Sequence, residues 1–192
     1  MIFAFGKADA ARNDNQSAAD SAALAAAQES RDQLKSLFLA NILDGDWLRD
    51  ILNGDRIGTY NGCRAAKRFA ALNDAGEVQC AMLSDGRWGF TVRVTSDKSM
   101  GKSVIPGTEG QHAKSSATAV VEPRCRFQPA SSPSPTNTLP ANNGGGSGGK
   151  PDEKPSSPGT IACDEGNWHI DPDHLDLLPD MADLFSVRLA EN

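Results

Sequence analysis

The feature that most constrains this chain is the stretch from Ala8 to Leu43, which contains neither proline nor glycine. Alanine is the strongest helix former, and the Leu, Gln, Glu, Lys and Arg residues of the stretch lose little rotamer freedom in a helix. The stretch therefore predicts one long helix. Its N-terminal half has an alanine face, and its C-terminal half has a Leu/Phe stripe at spacings of three and four. We expect the second half to pack on a globular body and the first half to project from it as a stalk.

Shorter elements follow the long helix. Two more helices are predicted, over Trp47–Leu52 and 63–75. Asp46 is placed to cap the first of them, and the apolar residues of the second are expected to face a sheet: Ala66, Phe69, Ala70 and Leu72. Alternating apolar and polar residues then predict strands over 77–83, 87–95 and 113–121. The sequence thus predicts an α+β fold, with the long N-terminal helix packed on a small three-stranded antiparallel sheet.

Composition divides the chain into three parts. Residues 129–160 hold seven of the eleven prolines and a glycine-rich run at 144–149, which predicts a disordered linker. The globular domain is therefore assigned to residues 1–128 and an acidic docking tail to residues 161–192. Within the tail, short helices are predicted from His174 to Leu178 and after Pro179, the latter with an apolar side that reaches Leu189.

The negative charge is concentrated in the tail. The formal net charge of the chain is −6, and the segment from Asp164 onward holds eight acidic residues and one basic residue, a charge of −7. The rest of the chain is near neutral, at +1. No strongly basic face is expected, which argues against nucleic acid as a partner.

The cysteines are even in number and widely spaced: Cys63, Cys80, Cys125 and Cys163. Zinc sites usually contain closely spaced ligand pairs, and none is present. Two disulfides in an exported protein is the favoured interpretation, against four buried thiols in a cytosolic one. We hypothesise that Cys63 pairs with Cys80 across a helix–strand unit and that Cys125 pairs with Cys163 across the linker. Four cysteines allow three pairings.

No catalytic or ligand-binding constellation stands out. The run Gly101-Lys102-Ser103 lacks the earlier glycine of a phosphate-binding loop, since Ser96 occupies that position. Possible metal ligands cluster in the tail at His169, Asp171, Asp173 and His174, but a solvated acidic segment explains them better. A second acidic group lacks the glycine and glutamate of a calcium loop: Asp44, Asp46, Asp50 and Asp55. No serine lies in a G-x-S-x-G elbow. The sequence predicts no enzyme, cofactor, metal or small-molecule substrate.

Residues 15–27 read NQSAADSAALAAA. They resemble the segment that follows the transmembrane helix in TadE/TadG-like proteins of bacterial Flp (Tad) pilus assembly, which reads approximately QNAADAAALAAA. The later pattern is similar to actinobacterial members: an Ala- and Arg-rich helix that opens with Cys63, a strand with Cys80, a Val-rich strand, and an Ala-rich strand with Ala117 and Ala119. The resemblance implies a non-enzymatic, pilin-like domain over residues 1–128, whose body lies outside the cytoplasmic membrane.

The same resemblance implies a membrane anchor. Met1–Phe5 is apolar but far shorter than the roughly 20 residues that a membrane span needs, so we expect it to be the end of a longer apolar segment. The implied partners are other pilin-like or secretion-apparatus proteins. The alternatives are a secreted or envelope-associated binding module with the acidic tail as its ligand contact, and a small hydrolase.

Overall fold

The long alanine-rich stretch forms two helices in the computed structural model, which describes residues 3–99, 110–130 and 156–191. Helix α1 spans Phe3–Asp32 and helix α2 spans Leu34–Ala40, so the predicted single helix is interrupted at Gln33. The interruption is slight. Gln33 keeps helical torsion angles (φ −70°, ψ −15°), and its N–H still donates to the carbonyl of Glu29 at 3.0 Å.

Two short helices and three strands follow. The helices are α3 (Gly45–Leu52) and α4 (Cys63–Leu72), and the strands are β1 (Ala75–Met82), β2 (Gly89–Ser99) and β3 (His112–Pro123). The three strands pair antiparallel in chain order, as predicted, with Val92 opposite Cys80 on one side and Ala117 on the other.

The cap of α3 differs from the prediction: the carboxylate of Asp44, not of Asp46, accepts from the backbone N–H groups of Asp46 and Trp47.

The C-terminal part of the chain adds strands to two sheets. Strands β4 (Cys125–Pro129), β5 (Gly159–Cys163) and β6 (Gly166–His169) form a second antiparallel sheet. A single 3₁₀ turn (Leu175–Leu177) and helix α5 (Met181–Leu184) lead into β7 (Phe185–Leu189). Strand β7 pairs with β3, so the first sheet has four strands in the order β1-β2-β3-β7.

These observations confirm the α+β class with a long N-terminal helix and antiparallel sheets. The three predicted strands are present, and a fourth strand, β7, joins them at one edge. One detail is corrected, because the helix predicted to reach Leu189 ends at Leu184. The reason is a change of period, because Phe185, Val187 and Leu189 alternate with polar residues, as strands do. The predicted linker lies outside the described residues from 131 to 155, and there it stays a prediction.

The alanine face of α1 is buried within the chain's own fold. Six of its alanines have no exposed surface: Ala18, Ala19, Ala22, Ala23, Ala26 and Ala27. They pack with the inner face of the sheet, which carries Phe90 and Val92, and with α4. The predicted stalk is therefore wrong for residues 18–27. Alanine lets a helix approach its neighbours closely, and here those neighbours belong to the same chain.

Helix α1 and the start of α4 approach each other closely at Gly62. A Cβ atom added to Gly62 would lie 1.9 Å from the carbonyl oxygen of Ala26, which is backbone and cannot rotate away. We expect Gly62→Ala to lower the free energy of unfolding by about 2 to 3 kcal/mol, because the two helices must separate. Urea denaturation measures this.

Gly45→Ala is the matched control, since its Cβ would meet only the ring of Phe127, at an ordinary 3.4 Å. We expect the free energy of unfolding of that variant to be unchanged or higher by up to about 1 kcal/mol, because alanine restricts the unfolded chain. Equal losses in the two variants would contradict the close contact between Gly62 and Ala26.

Candidate functional surfaces

The four cysteines form the two pairs that the sequence suggested. Cys63 is bonded to Cys80 and joins the start of α4 to β1, with the Cα atoms 5.6 Å apart. Cys125 is bonded to Cys163 and joins β4 to β5, where the two residues are also register partners. No cysteine is left free. Disulfides persist outside the reducing cytosol, which indicates an extracellular or envelope location.

The polar residues singled out as possible ligands do not converge on a metal site. Within the described residues, no group of three or more His, Cys, Asp and Glu side chains could hold a metal ion. His169 is exposed on β6, and His112 lies on β3 with Nδ1 2.6 Å from the carbonyl oxygen of Ser96. In the acidic group near α3, Asp46 pairs with Arg49 and Asp50 with Arg56. The run Gly101-Lys102-Ser103 lies outside the described residues.

One titratable pair in the tail has a defined geometry. Nδ1 of His174 lies 2.8 Å from Oδ2 of Asp171, and both side chains are exposed. The hydrogen bond to Asp171 raises the pKa of His174, with the charge of Asp171 adding to it. The same hydrogen bond lowers the pKa of Asp171, helped by the backbone N–H of Asp173.

The directions of these two pKa shifts set the pH range over which the pair stabilises the folded protein. The contribution of His174 to stability is fully present below its unfolded pKa of about 6.5 and is lost as the pH rises through its higher folded pKa. The contribution of Asp171 is present above about 3.9 and is lost as the pH falls through its lower folded pKa. We expect an NMR titration to give His174 a pKa above about 6.5, and Asp171→Asn to lower it. A pKa that Asp171→Asn leaves unchanged would contradict the ion pair.

An apolar groove lies between α2 and the segment from Leu175 to Met181. It has a volume of about 400 Å³. We call it the α2 groove and define it by its lining residues: Lys35, Phe38, Leu39, Leu175, Asp176, Leu178, Pro179, Asp180 and Met181. Leu177, beside the groove, is 68% exposed. Two aspartates line the groove, Asp176 and Asp180, and they form its acidic rim. Asp180 makes an ion pair with Lys35 at 3.0 Å.

The outward side of α4 has the opposite charge. Its exposed residues follow helical spacing, and we call them the α4 face: Arg64, Lys67, Arg68, Ala71 and Leu72. None of its three basic residues makes an ion pair with a described residue. Leu72 is 74% exposed, which is the highest value for a large apolar side chain in the described part of the protein. The prediction that Leu72 faces the sheet is therefore wrong, since the small Ala66 and Ala70 occupy the packed side of α4.

The chain was compared with models of protein families, with curated proteins and with solved structures, and nothing matched. The functional assignment therefore depends on the chain's own residues and geometry. Among the described residues, no helix combines the length and the apolar character that a membrane crossing requires.

Proposed function

We propose that this chain is a non-enzymatic, pilin-like structural or accessory component of a Flp (Tad) pilus or a related secretion apparatus. The observation that carries the proposal is the placement of α1, a 30-residue helix that crosses the inner face of an antiparallel sheet. Residues 15–27, which resemble the TadE/TadG-like segment, include the six fully buried alanines that pack with the sheet and with α4. The residues behind the resemblance thus have a structural role in this fold.

The N-terminal part of α1 supports the proposal in a second way. Asn15 is buried, and its side-chain amide donates to the carbonyl of Ala113 and to the hydroxyl of Ser115, near the start of β3. Twelve helical residues precede Asn15, which corresponds to about 18 Å at 1.5 Å per residue. Arg12, Asn13 and Asp14 in this part are exposed. A helix end of this length is suited to contact with neighbouring helices of an assembly.

The disulfides support a body displayed outside the cytosol. In this proposal, the apolar residues Met1–Phe5 continue an upstream anchor in the cytoplasmic membrane, and α1 leads from that anchor into the displayed body. The partners are other pilin-like or secretion-apparatus proteins, which contact the N-terminal part of α1, where Arg12, Asn13 and Asp14 are exposed.

Site-specific crosslinking in the native host tests the proposal. A photoreactive residue at Asn13, on the exposed part of α1, is expected to crosslink the full-length protein to pilin-like proteins of the envelope. The same residue at Arg126, which is exposed on β4 of the second sheet, is the control and is expected to give few such products. Release of the protein into the medium without crosslinks to envelope proteins would favour a secreted binding module instead.

A further inference from the structure

We propose that copies of this chain associate head to tail, with the α4 face of one copy docked in the α2 groove of the next. Two surfaces with matching properties carry the inference. The α4 face presents three basic side chains around an exposed leucine, Leu72, and the α2 groove is an apolar channel with an acidic rim beside another exposed leucine, Leu177. This association goes beyond the proposed function and does not depend on it.

The charges of the two surfaces are complementary and available. Arg64, Lys67 and Arg68 have no ion-pair partner among the described residues. Asp176 is exposed on the groove and likewise makes no ion pair within the described ranges. Complementary charges of this kind guide association and set the orientation of the partners.

The apolar parts of the two surfaces match as well. Leu72 and Leu177 have the two largest exposed fractions, 74% and 68%, among the large apolar side chains described. Arg64, Arg68 and Leu72 are four residues apart and lie in one row along α4. With this row against the groove, Leu72 covers the apolar floor formed by Leu39, Leu175 and Leu178, and the arginines face the acidic rim.

The α4 face and the α2 groove of one copy lie too far apart to contact each other. Helix α4 packs beside β1, and the segment that forms the groove leads into β7, at the other edge of the sheet. Three strand spacings separate those edges, about 14 Å at about 4.8 Å per spacing. A contact between different surfaces of identical copies is heterologous, so it generates open chains or rings.

The α4 face spans a ten-residue helix, so we expect a weak interface that buries less than about 1,200 Å².

Sedimentation velocity of the full chain tests the proposal with two variants. Arg64→Glu/Arg68→Glu reverses the charge of the α4 face, and Asp176→Asn/Leu177→Ala removes a charge and an apolar side chain from the groove without adding a positive charge. The wild-type protein is expected to grow in mean mass with concentration above the 20.3 kDa of one chain, and to dissociate as salt rises from about 50 to about 500 mM. Each variant alone is expected to have a dissociation constant at least about tenfold higher. The matched control, Arg93→Glu/Arg126→Glu, changes two exposed basic residues on β2 and β4, away from both surfaces, and is expected to associate like the wild type.

A mixture of the two variants gives the decisive result. The α4 variant keeps an intact groove, and the groove variant keeps an intact α4 face. Their equimolar mixture is expected to form dimers of twice the chain mass and nothing larger, which also shows that both variants fold. A monomeric wild type, a mixture that stays monomeric, or a control that loses association as strongly as the variants would each overturn the proposal. None of these results bears on the pilus assignment, which the crosslinking experiment tests separately.

Discussion

Removing the disulfide between Cys125 and Cys163 is expected to lower the free energy of unfolding by about 4 kcal/mol. The bond closes a loop with a sequence separation of 38 residues, and in the chain-entropy model a loop of that size contributes this amount. The loss matters because β5, β6 and β7 all follow Cys163 or contain it, and these strands complete both sheets. Urea denaturation of Cys125→Ala/Cys163→Ala measures the loss.

The other disulfide gives a matched comparison. Cys63 and Cys80 are separated by 17 residues, so Cys63→Ala/Cys80→Ala is expected to cost about 3 kcal/mol. The two variants should differ in the part of the chain that loses protection from amide hydrogen exchange. Hydrogen exchange is expected to rise in β5 and β7 when Cys125 and Cys163 are replaced, and in α4 and β1 when the other pair is replaced. A loss below about 1 kcal/mol for the Cys125 variant would contradict a structural role for that bond.

Replacing Phe185 by alanine is expected to cost about 3 to 5 kcal/mol. Phe185 is fully buried at the start of β7, and its ring meets the ring of Trp88 edge to face, with centroids 5.4 Å apart. Trp88 is held in turn by a buried hydrogen bond from its indole N–H to the hydroxyl of Ser30 on α1, at 2.9 Å. Truncation of a buried phenylalanine leaves a cavity, and Trp88 cannot move to fill it because its indole is hydrogen-bonded to Ser30.

Leu189 on the same strand provides the control for Phe185→Ala. It lies on the same face of β7 but is 37% exposed, so we expect Leu189→Ala to cost about 1 kcal/mol. Thermal and urea denaturation of both variants measure the difference. Equal small losses would show that β7 is not part of the main core, which would contradict the four-stranded sheet.

The parts of the fold with local signals could be predicted from the sequence. Propensity alone predicted the helix of α1, and the alternation of Phe90, Val92 and Val94 predicted β2 and its buried face. The helix and strand signals need only neighbouring residues, which is why they can be detected without any knowledge of the tertiary structure. The cysteine pairing was one of three possible pairings, chosen from the elements that each pair brackets.

The remaining features depend on contacts between distant parts of the chain. Strand β7 was missed because its five residues are also compatible with the end of a helix, and pairing with Val121 and Pro123 decides between them. The alanines of α1 gave no indication of which partner covers them. The α2 groove joins Leu39 to Leu175, which no local pattern relates. Leu72 was assigned to the packed side of α4 by its apolar character, although its position in the helix places it with Arg64 and Arg68.

The most direct test of the central claim is to delete the protein in its native host and count surface pili by electron microscopy. Pili are expected to be lost or strongly reduced, and the full-length protein supplied in trans is expected to restore them. Cells without the protein that carry pili in normal number and length would contradict the assignment to pilus assembly.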